Sequence, residues 1–516
     1  MASVGSETAG PAAAPAETAG VAAAGSTAGQ PGQRALSTEP SRRTKKPLGD
    51  RLRCEYLMPH KKFKQCNMTR KASEQFCAQH LQTEPVAHDG VKHGRKNAVR
   101  IKCPVDPSHA IWSDRTGQHV KKCRARLVAA AKEEFWFSRD VNVRTPAPPA
   151  DASPISADEY ATWIAYVRRV HAAAIEGTRY GEVPLVQLDH AGLHARLDEL
   201  SNKKHAIQQA SLIAHMDQRA LLHSRHTYIE FGAGRGELAR YVHQALLQKH
   251  ENQPPTNPSF LLIDRAGVRM KLDSKIIRDA TELGSTCPEP FVSRIRTDIK
   301  DLDLGKCMAG LRPHGDGPAS YVAISKHLCG AATDLTLRSF ESPGAADELA
   351  GVAIALCCRH RCSYDTYPLA ALGADTELTP RGFQILTRMC SWAVCGRRPA
   401  TKKRKRTDEP DAGDDAHDAD DADVDEATAA ADAVDAANYE ADMAAGDKHV
   451  SGLPIAEREL IGDMARNVLD YGRVRYLESL RRDGAPLFAT VELVRYVDRA
   501  ISGENYCLLG VPVHRE

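Results

Sequence analysis

The sequence predicts an α/β protein: a C-terminal domain built on a parallel sheet, preceded by small zinc-binding modules. Two observations support this. From Thr227 onwards, short apolar runs alternate with polar, helix-like segments, which is typical of parallel strands covered by helices on both faces. Residues 48–126 are basic, poor in apolar side chains and rich in Cys and His. A segment of that composition needs metal ions to fold stably.

Length, charge and cysteine content limit the classes of protein to which this sequence can belong. The 516 residues allow two or three domains, and the net charge of +2 averages regions of opposite sign. No apolar run approaches the roughly 18 residues of a membrane span, and the N-terminus lacks the features of a secretory signal. We therefore expect an intracellular protein, in the nucleus or cytoplasm, with no membrane association and no indicated protein partner. The 14 cysteines are then more often metal ligands or buried thiols than disulfides.

The N-terminal part begins with a tail, residues 1–47, whose Ala, Gly, Ser, Thr and Pro content predicts disorder. Residues 48–84 then carry the spacing C-x11-C-x10-C-x2-H, and residues 98–126 carry C-x5-H-x9-H-x3-C. Each set supplies the four ligands of a tetrahedral zinc ion and leaves no open position, so we predict two structural Zn²⁺ sites. The predicted ligands are Cys54, Cys66, Cys77 and His80 in the first module, and Cys103, His109, His119 and Cys123 in the second.

The basic character of this N-terminal region indicates either a polyanionic partner or a solvated charged surface. Residues 127–226 have helical periodicity and are predicted to form a helical connector. The sheet domain is predicted over residues 227–516, with a disordered insertion at 397–450, where a basic cluster precedes an acidic low-complexity run. Within it, residues 402–406 are a candidate nuclear import signal or a simple charge run. The strand candidates are TYIEFGA, SFLLIDR, FVSRIRTDI, YVAISKHL, GVAIALCC, LFATVELVRYV and NYCLLGVPV.

The stretch YIEFGAGRGELARYV carries the most informative motif. A strand enters a GxGxG turn and a helix leaves it, so the backbone can approach a ligand closely. One acid precedes the first glycine, a second ends the next strand and can accept hydrogen bonds from both ribose hydroxyls, and a third follows the strand after that. The spacing differs from the GxGxxG of dinucleotide sites. It favours S-adenosylmethionine (SAM) over NAD and predicts a Rossmann-like SAM-dependent methyltransferase domain. The candidate SAM-binding residues are Glu230, Gly232, Gly234, Gly236, Asp264 and Asp298.

Several stretches together resemble one family, the eukaryotic tRNA 2'-O-methyltransferases that modify nucleotide 4 of the acceptor stem. They are EFGAGRGEL, RTDIKDL, SKHLCGAATDLTLR, ALCCRHRCSYD and ENYCLLG, together with a CCCH-type cluster followed by a CHHC-type finger. The resemblance implies an enzyme that methylates a ribose 2'-hydroxyl of tRNA and holds the RNA stem with its zinc modules. Two adjacent histidines are frequent in that family where this chain has Arg359 and His360, so only the second histidine is retained.

Two segments, 325–330 and 357–364, follow the fourth and fifth strand candidates, where ligands bind in doubly wound sheets. A ribose hydroxyl is only weakly acidic. Methyl transfer to it therefore requires alignment, and it benefits from a base or from a cation that stabilises the developing alkoxide. We predict Lys326, His327 and His360 as catalytic residues, with Asp334 as an orienting acid.

The cysteines leave alternatives open. Cys357 or Cys358 could attack a base, as in RNA cytosine-5 methyltransferases. Alternatively, these two residues with His360 and Cys362 could bind a third metal ion. Adjacent cysteines on an extended strand point to opposite faces, so both could ligate one ion only across a sharp bend. A different class of protein, a zinc-finger RNA-binding factor with a non-catalytic methyltransferase fold, is opposed by the intact glycine turn and its acids.

Overall fold

The computed structural model describes residues 52–55, 57–58, 64–65, 70, 75–76, 100–107, 109–144, 151, 153–249, 258–265, 272–282, 289–311, 320–372, 378–395 and 448–513. The chain divides into two compact units, residues 1–86 and residues 87–516. The predicted disordered tail, most of the predicted insertion and the basic stretch at 402–406 lie outside the described residues.

The bounds of the regular elements are as follows. The strands are β1 (Leu57–Met58), β2 (Lys64–Gln65), β3 (Arg100–Lys102), β4 (Ala110–Trp112), β5 (Thr227–Phe231), β6 (Ser259–Asp264), β7 (Phe291–Arg296), β8 (Tyr321–Cys329), β9 (Leu349–Cys357), β10 (Arg481–Arg482), β11 (Ala485–Pro486), β12 (Phe488–Arg495) and β13 (Tyr506–Pro512). The α-helices are α1 (Thr116–Lys122), α2 (Arg124–Ala131), α3 (Ala157–Ala174), α4 (His194–Glu199), α5 (Lys204–Gln218), α6 (Glu237–Lys249), α7 (Asp273–Glu282), α8 (Leu304–Leu311), α9 (Ala331–Ser339), α10 (Ala345–Glu348), α11 (Pro380–Cys390) and α12 (Ile455–Ser479). Among the described helices, none combines the length and apolarity that crossing a membrane requires.

A seven-stranded sheet forms the centre of the second unit, in the order β12-β13-β9-β8-β5-β6-β7. The pairs from β9 to β7 are all parallel, and β13 runs antiparallel to both of its neighbours. These strands are the seven apolar runs that the sequence predicted. The prediction of an α/β protein is therefore confirmed as a mixed α/β architecture with a mostly parallel central sheet.

Strand alternation divides the core between the two faces of this sheet. In β6, Leu261 and Ile263 belong to one apolar cluster, whereas Phe260 and Leu262 belong to the other. Successive side chains of a strand point to opposite faces, so an uninterrupted apolar run is what a doubly covered sheet requires. The order of the strands reverses between β5 and β8, and the carboxyl ends of these two strands flank the crevice where such sheets bind ligands.

The predicted helical connector, residues 127–226, packs on the sheet domain. Helix α5 places Leu212, Ile213 and Met216 in the same apolar cluster as Phe260. Helix α3 begins with a capping box formed by Ser156 and Glu159, and it packs against α11 and α12 in a third apolar cluster. These helices therefore support the sheet, and α5 reaches one edge of the crevice.

The last residues of the predicted insertion, 448–450, belong to the described fold. His449 is buried, and its ring centroid lies 5.3 Å from that of Tyr160 and 5.1 Å from that of Trp392. Tyr160 is on α3, and Trp392 is in the 3₁₀ turn Ser391–Val394. The chain therefore rejoins the core before residue 450.

Candidate active site and zinc modules

The turn after β5 has the backbone that its glycines predict. Gly232, Gly234 and Gly236 have φ values of 65°, 48° and 80°, a region that other residues adopt only with strain. A Cβ atom on Gly232 would lie 2.7 Å from the carbonyl oxygen of His327, so this glycine lets the turn pack against the end of β8. A Cβ atom on Gly234 would have no neighbour within 4 Å. The turn is thus tightly packed at its start and faces open space at its centre.

Ionisable side chains hold this turn from three sides. In β5, buried Glu230 accepts a hydrogen bond from the N–H of Ala239 in the first turn of α6, at 3.0 Å. At the end of β6, Asp264 accepts one from the N–H of Gly234 at 2.7 Å. On β7, Arg294 donates to the carbonyl oxygen of Gly234 at 2.8 Å and is itself paired with a carboxylate of α7. The predicted acids Glu230 and Asp264 therefore converge on the glycine turn.

Asp298 lies further along the same edge of the sheet. It is partly buried and precedes the 3₁₀ turn Ile299–Asp301, where its carboxylate accepts a hydrogen bond from the N–H of Lys300 at 3.0 Å. Its predicted role beside the adenine stays a prediction. Arg294 was missed from the sequence, where its only signal was a charge inside an otherwise strand-like run.

Burial raises the pKa of Glu230 from its ordinary value of 4.5 to about 8. The folded state therefore binds this proton more tightly than the unfolded chain, and the resulting stability is present below about pH 4.5 and lost as pH rises towards 8. The glutamine of Glu230→Gln stays neutral at every pH. We therefore expect this variant to avoid the loss in free energy of unfolding, which amounts to at most about 1.4 kcal/mol per pH unit. The melting temperature of the variant relative to the parent should rise between about pH 5 and pH 8.5. Calorimetry on ligand-free protein measures this; parallel pH profiles would contradict it.

The end of β8 brings basic side chains together. The register between β8 and β9 shifts between Ser325 and Leu328, and such irregularities redirect side chains near active sites. Lys326 is buried, and its Nζ lies 2.5 Å from Nδ1 of His205 and 3.3 Å from Nε2 of His327. His327 is exposed. Two predicted catalytic residues therefore lie together, joined by a histidine of α5 that the sequence did not reveal.

In the segment after β9, Arg359 and His360 occupy the two positions where the family frequently has adjacent histidines, and the structure gives them different environments. His360 lies half-buried in the 3₁₀ turn Arg359–Arg361, and burial lowers its pKa. The side chain of Arg359 is buried and paired with Asp470 of α12, with Nη2 2.6 Å from Oδ2. The first position thus has a structural role in this chain, and the second remains a candidate for contact with substrate.

Asp334 belongs to a buried charge network. Its two oxygens accept hydrogen bonds from Nε and Nη2 of Arg473, at 2.8 and 3.1 Å, and both side chains are fully buried. Arg473 also lies 3.2 Å from Asp470 and 3.0 Å from the sulfur of Cys362. Asp334 therefore anchors the start of α9 to α12, where the sequence had suggested an acid that orients a catalytic base.

Three thiols meet at the ends of β8 and β9. The sulfur of Cys329 lies 3.6 Å from that of Cys357 and 3.3 Å from that of Cys358. Among the described residues, the metal-capable group here consists of these three and includes neither His360 nor Cys362. Hydrogen bonds from the other two thiols lower the pKa of Cys329, and the contact with Cys329 raises the pKa of Cys357 and of Cys358. A raised pKa disfavours the thiolate that attack on a cytosine base requires.

The second Cys/His set forms a metal-binding geometry. The ligand atoms of Cys103, His109, His119 and Cys123 all lie within 4.8 Å of one another. The two sulfurs are 3.7 Å apart, Sγ of Cys103 is 3.2 Å from Nε2 of His119, and the two Nε2 atoms are 3.0 Å apart. Ordinary zinc bond lengths give tetrahedral edges of about 3.3–3.8 Å, slightly longer than two of these three separations, so small shifts would let the four residues hold one ion. Nδ1 of His109 lies 3.4 Å from the carboxylate of Asp106, which leaves Nε2 for the metal.

The core of this module is small. Its buried cluster in the described residues consists of Cys103, Ile111 and Cys123, so a bound ion would supply much of its stability. In the separate first unit, Cys54 is buried. The other predicted ligands, Cys66, Cys77 and His80, lie outside the described residues.

Comparison with known proteins identifies the family. The family model for methyltransferase TRM13 matches residues 207–511, more than half of the chain. The chain belongs to the TRM13 methyltransferase family. A second model, the CCCH zinc finger in TRM13 protein, matches residues 52–81, which contain the first Cys/His set. The family resemblance drawn from the sequence is confirmed.

Curated members of the TRM13 family align with nearly the whole chain. A protein of Yarrowia lipolytica is 39% identical over 89% of this chain and 89% of its own length. A protein of Saccharomyces cerevisiae is 31% identical over 89% of this chain and 96% of its own length. One of Schizosaccharomyces pombe is 32% identical over 80% and 95%. Each is named tRNA:m(4)X modification enzyme TRM13. No solved structure matches the chain.

Proposed function

We propose that this protein is a SAM-dependent tRNA 2'-O-methyltransferase that acts on the ribose of nucleotide 4 in the acceptor stem. The names of its relatives support tRNA as the substrate and position 4 as the target. The observation that carries the reaction is the contact of Lys326 with His205 and His327, on a strand end packed against the glycine turn. We also propose that the sheet is a Rossmann-like fold, supported by its strand order and its reversal between β5 and β8.

The residues around the glycine turn fit SAM. Space is open at Gly234, and the carboxylate of Asp264 lies beside it, where it can accept hydrogen bonds from ribose hydroxyls. Glu230 supports the helix that follows the turn, and Asp298 lies further along the same edge. When bound, SAM supplies an electrophilic methyl group on a sulfonium sulfur.

The residues at the end of β8 have complementary properties for activating a hydroxyl group. A lysine ammonium stabilises negative charge that develops on an oxygen atom, and Nδ1 of His205 accepts a hydrogen bond that orients Lys326. His327 is exposed and can take the proton of the hydroxyl group. Because burial lowers the pKa of His360, its ring is neutral near pH 7 and can accept a hydrogen bond from RNA.

We propose that two zinc modules hold the RNA. The CHHC module exposes Lys102, Arg115 and Lys121 around its ligand set. A-form RNA is recognised largely by its shape and by its phosphates and 2'-hydroxyls, so a basic module need not read sequence. Binding should therefore weaken steeply with rising salt concentration.

The reaction is tested with full-length protein, isotopically labelled SAM and unmodified tRNA. The RNA is digested to nucleosides and analysed by mass spectrometry, and the position is mapped by RNase fragments. Label on a 2'-O-methylated nucleoside at position 4 supports the proposal. Label on C5 of cytosine would instead identify a cysteine-dependent enzyme, and absence of SAM binding would favour an RNA-binding factor.

Lys326→Met should lower kcat by about 10²-fold or more while the Kd for SAM stays unchanged, since the lysine acts on the hydroxyl group. His205→Ala should have a smaller effect in the same direction, because it acts through Lys326. Lys306→Met makes the same substitution at an exposed lysine on α8, outside the β8 end, and should leave both quantities unchanged. Single-turnover kinetics and calorimetric SAM titration measure both quantities. A change in SAM affinity with no change in kcat would contradict the assignment.

A further inference from the structure

The thiol cluster formed by Cys329, Cys357 and Cys358 has the composition and spacing of a metal site. Its sulfur contacts of 3.3 and 3.6 Å are longer than a disulfide bond and close to the edge of a zinc–thiolate tetrahedron, about 3.8 Å. Cys357 is buried and the other two thiols are partly buried. Three converging thiols in one site are typical of soft ligation by zinc, whereas a disulfide would use only two of them.

The backbone forms the sharp bend that joint ligation by adjacent cysteines requires. Cys358 has φ 44° and ψ 47°, a left-handed conformation that non-glycine residues rarely adopt. The strand ends at Cys357, and this turn brings the next thiol back to the same partner, Cys329. On a continued strand the two side chains would point to opposite faces.

A close backbone contact fixes the other side of the cluster. Gly330 follows Cys329 with φ 56°, and a Cβ atom there would lie 2.1 Å from the carbonyl oxygen of Arg361. Cys329 and Cys357 are also direct partners in the register of the parallel strands β8 and β9. The two segments that carry the thiols are therefore held together from two directions.

We propose that Cys329, Cys357 and Cys358 bind a third zinc ion through three thiolates, with the fourth coordination position open. Three protein ligands with an open position are the arrangement of zinc sites that accept a water molecule or a substrate atom. Cys329 is two residues from His327, so the ion would lie next to the residues that we assign to hydroxyl activation. It would also fasten the 325–330 segment to the 357–364 segment.

The proposal is tested by the zinc content of full-length protein, purified under reducing conditions without chelator and measured by inductively coupled plasma mass spectrometry. Cys358→Gly is the most informative variant, because glycine retains the left-handed backbone and removes only the thiol. We expect Cys358→Gly and Cys357→Ala each to hold about one zinc per chain fewer than the parent. Cys307→Ala, at a buried cysteine of α8 outside the cluster, should hold as much as the parent.

The comparison depends on differences between variants, so it does not require the zinc modules to be fully loaded. Circular dichroism and melting curves establish that each variant is folded. Cobalt substitution of the parent provides a readout without mutation. The intensity of the thiolate-to-cobalt charge-transfer bands per chain should exceed the intensity that the cysteines of the two zinc modules alone can give. Equal zinc in the parent and both variants would overturn the proposal. So would a disulfide between two of the three cysteines in anaerobically purified protein.

Discussion

Gly234→Trp is expected to abolish SAM binding while the protein remains folded. The glycine has φ 48° and open space around it, so a side chain there would fill the volume beside Asp264 that we assign to the ligand. The left-handed backbone conformation adds a cost of about 1–2 kcal/mol for a residue with a side chain. Isothermal titration with SAM should show no binding heat under conditions in which the parent saturates.

Gly177→Trp is the matched control for this variant. Gly177 also has positive φ, 72°, and open space around its Cβ position, but it follows α3 and is not part of the glycine turn. Both variants should therefore melt a few degrees below the parent, and only Gly234→Trp should lose SAM binding. Retained affinity in Gly234→Trp, or equal loss in both variants, would show that the ligand does not lie at this turn.

Arg473→Met is expected to destabilise the protein by about 3–5 kcal/mol, because removing one partner leaves buried charges unpaired. Arg473 contacts Asp334 and Asp470, and all three side chains are fully buried. Asp470 in turn holds Arg359, which directly follows Cys358. Denaturant unfolding monitored by tryptophan fluorescence should therefore show a much lower midpoint for the variant.

Arg475→Met provides the comparison on the same helix. Arg475 is half-exposed and pairs with Glu478 at 2.8 Å, a type of contact that contributes about 0–1 kcal/mol. Its unfolding midpoint should stay close to that of the parent. A double variant, Arg473→Met with Asp334→Asn, should regain part of the stability, because it removes one of the unpaired charges. Similar midpoints for Arg473→Met and Arg475→Met would mean that the network contributes little.

Features that depend only on residues close together in the sequence were predictable. All seven strands and the glycine turn follow from local apolar runs and from backbone requirements, and the second zinc set follows from ligand spacing. His205 was not predictable, because its helix pattern indicates only a buried face and its partner Lys326 lies far along the chain. The partner of Asp334 was hidden for the same reason, since Arg473 lies on a helix beyond the insertion.

The thiol cluster was only partly predictable from the sequence. Cys329 and Cys357 end consecutive parallel strands, and the sequence shows both positions. Pairing them required the register of β8 against β9, and adding Cys358 required a left-handed residue that no local pattern predicts. The sequence therefore placed the metal hypothesis on the segment that carries Cys357 and Cys358, whereas the structure groups these two thiols with Cys329 and not with His360 or Cys362.

The ring contact between Trp392 and His449 has a consequence for how the chain tolerates changes in length. Trp392 precedes the segment and His449 follows it, and their ring centroids lie 5.1 Å apart. The chain therefore leaves the core and returns to it at neighbouring points. Closing a longer loop between fixed ends costs only about 0.6 kcal/mol per doubling of length. We therefore expect that residues 395 and 448 can be joined by a short glycine-serine bridge, or by an inserted reporter domain, while the central sheet stays folded.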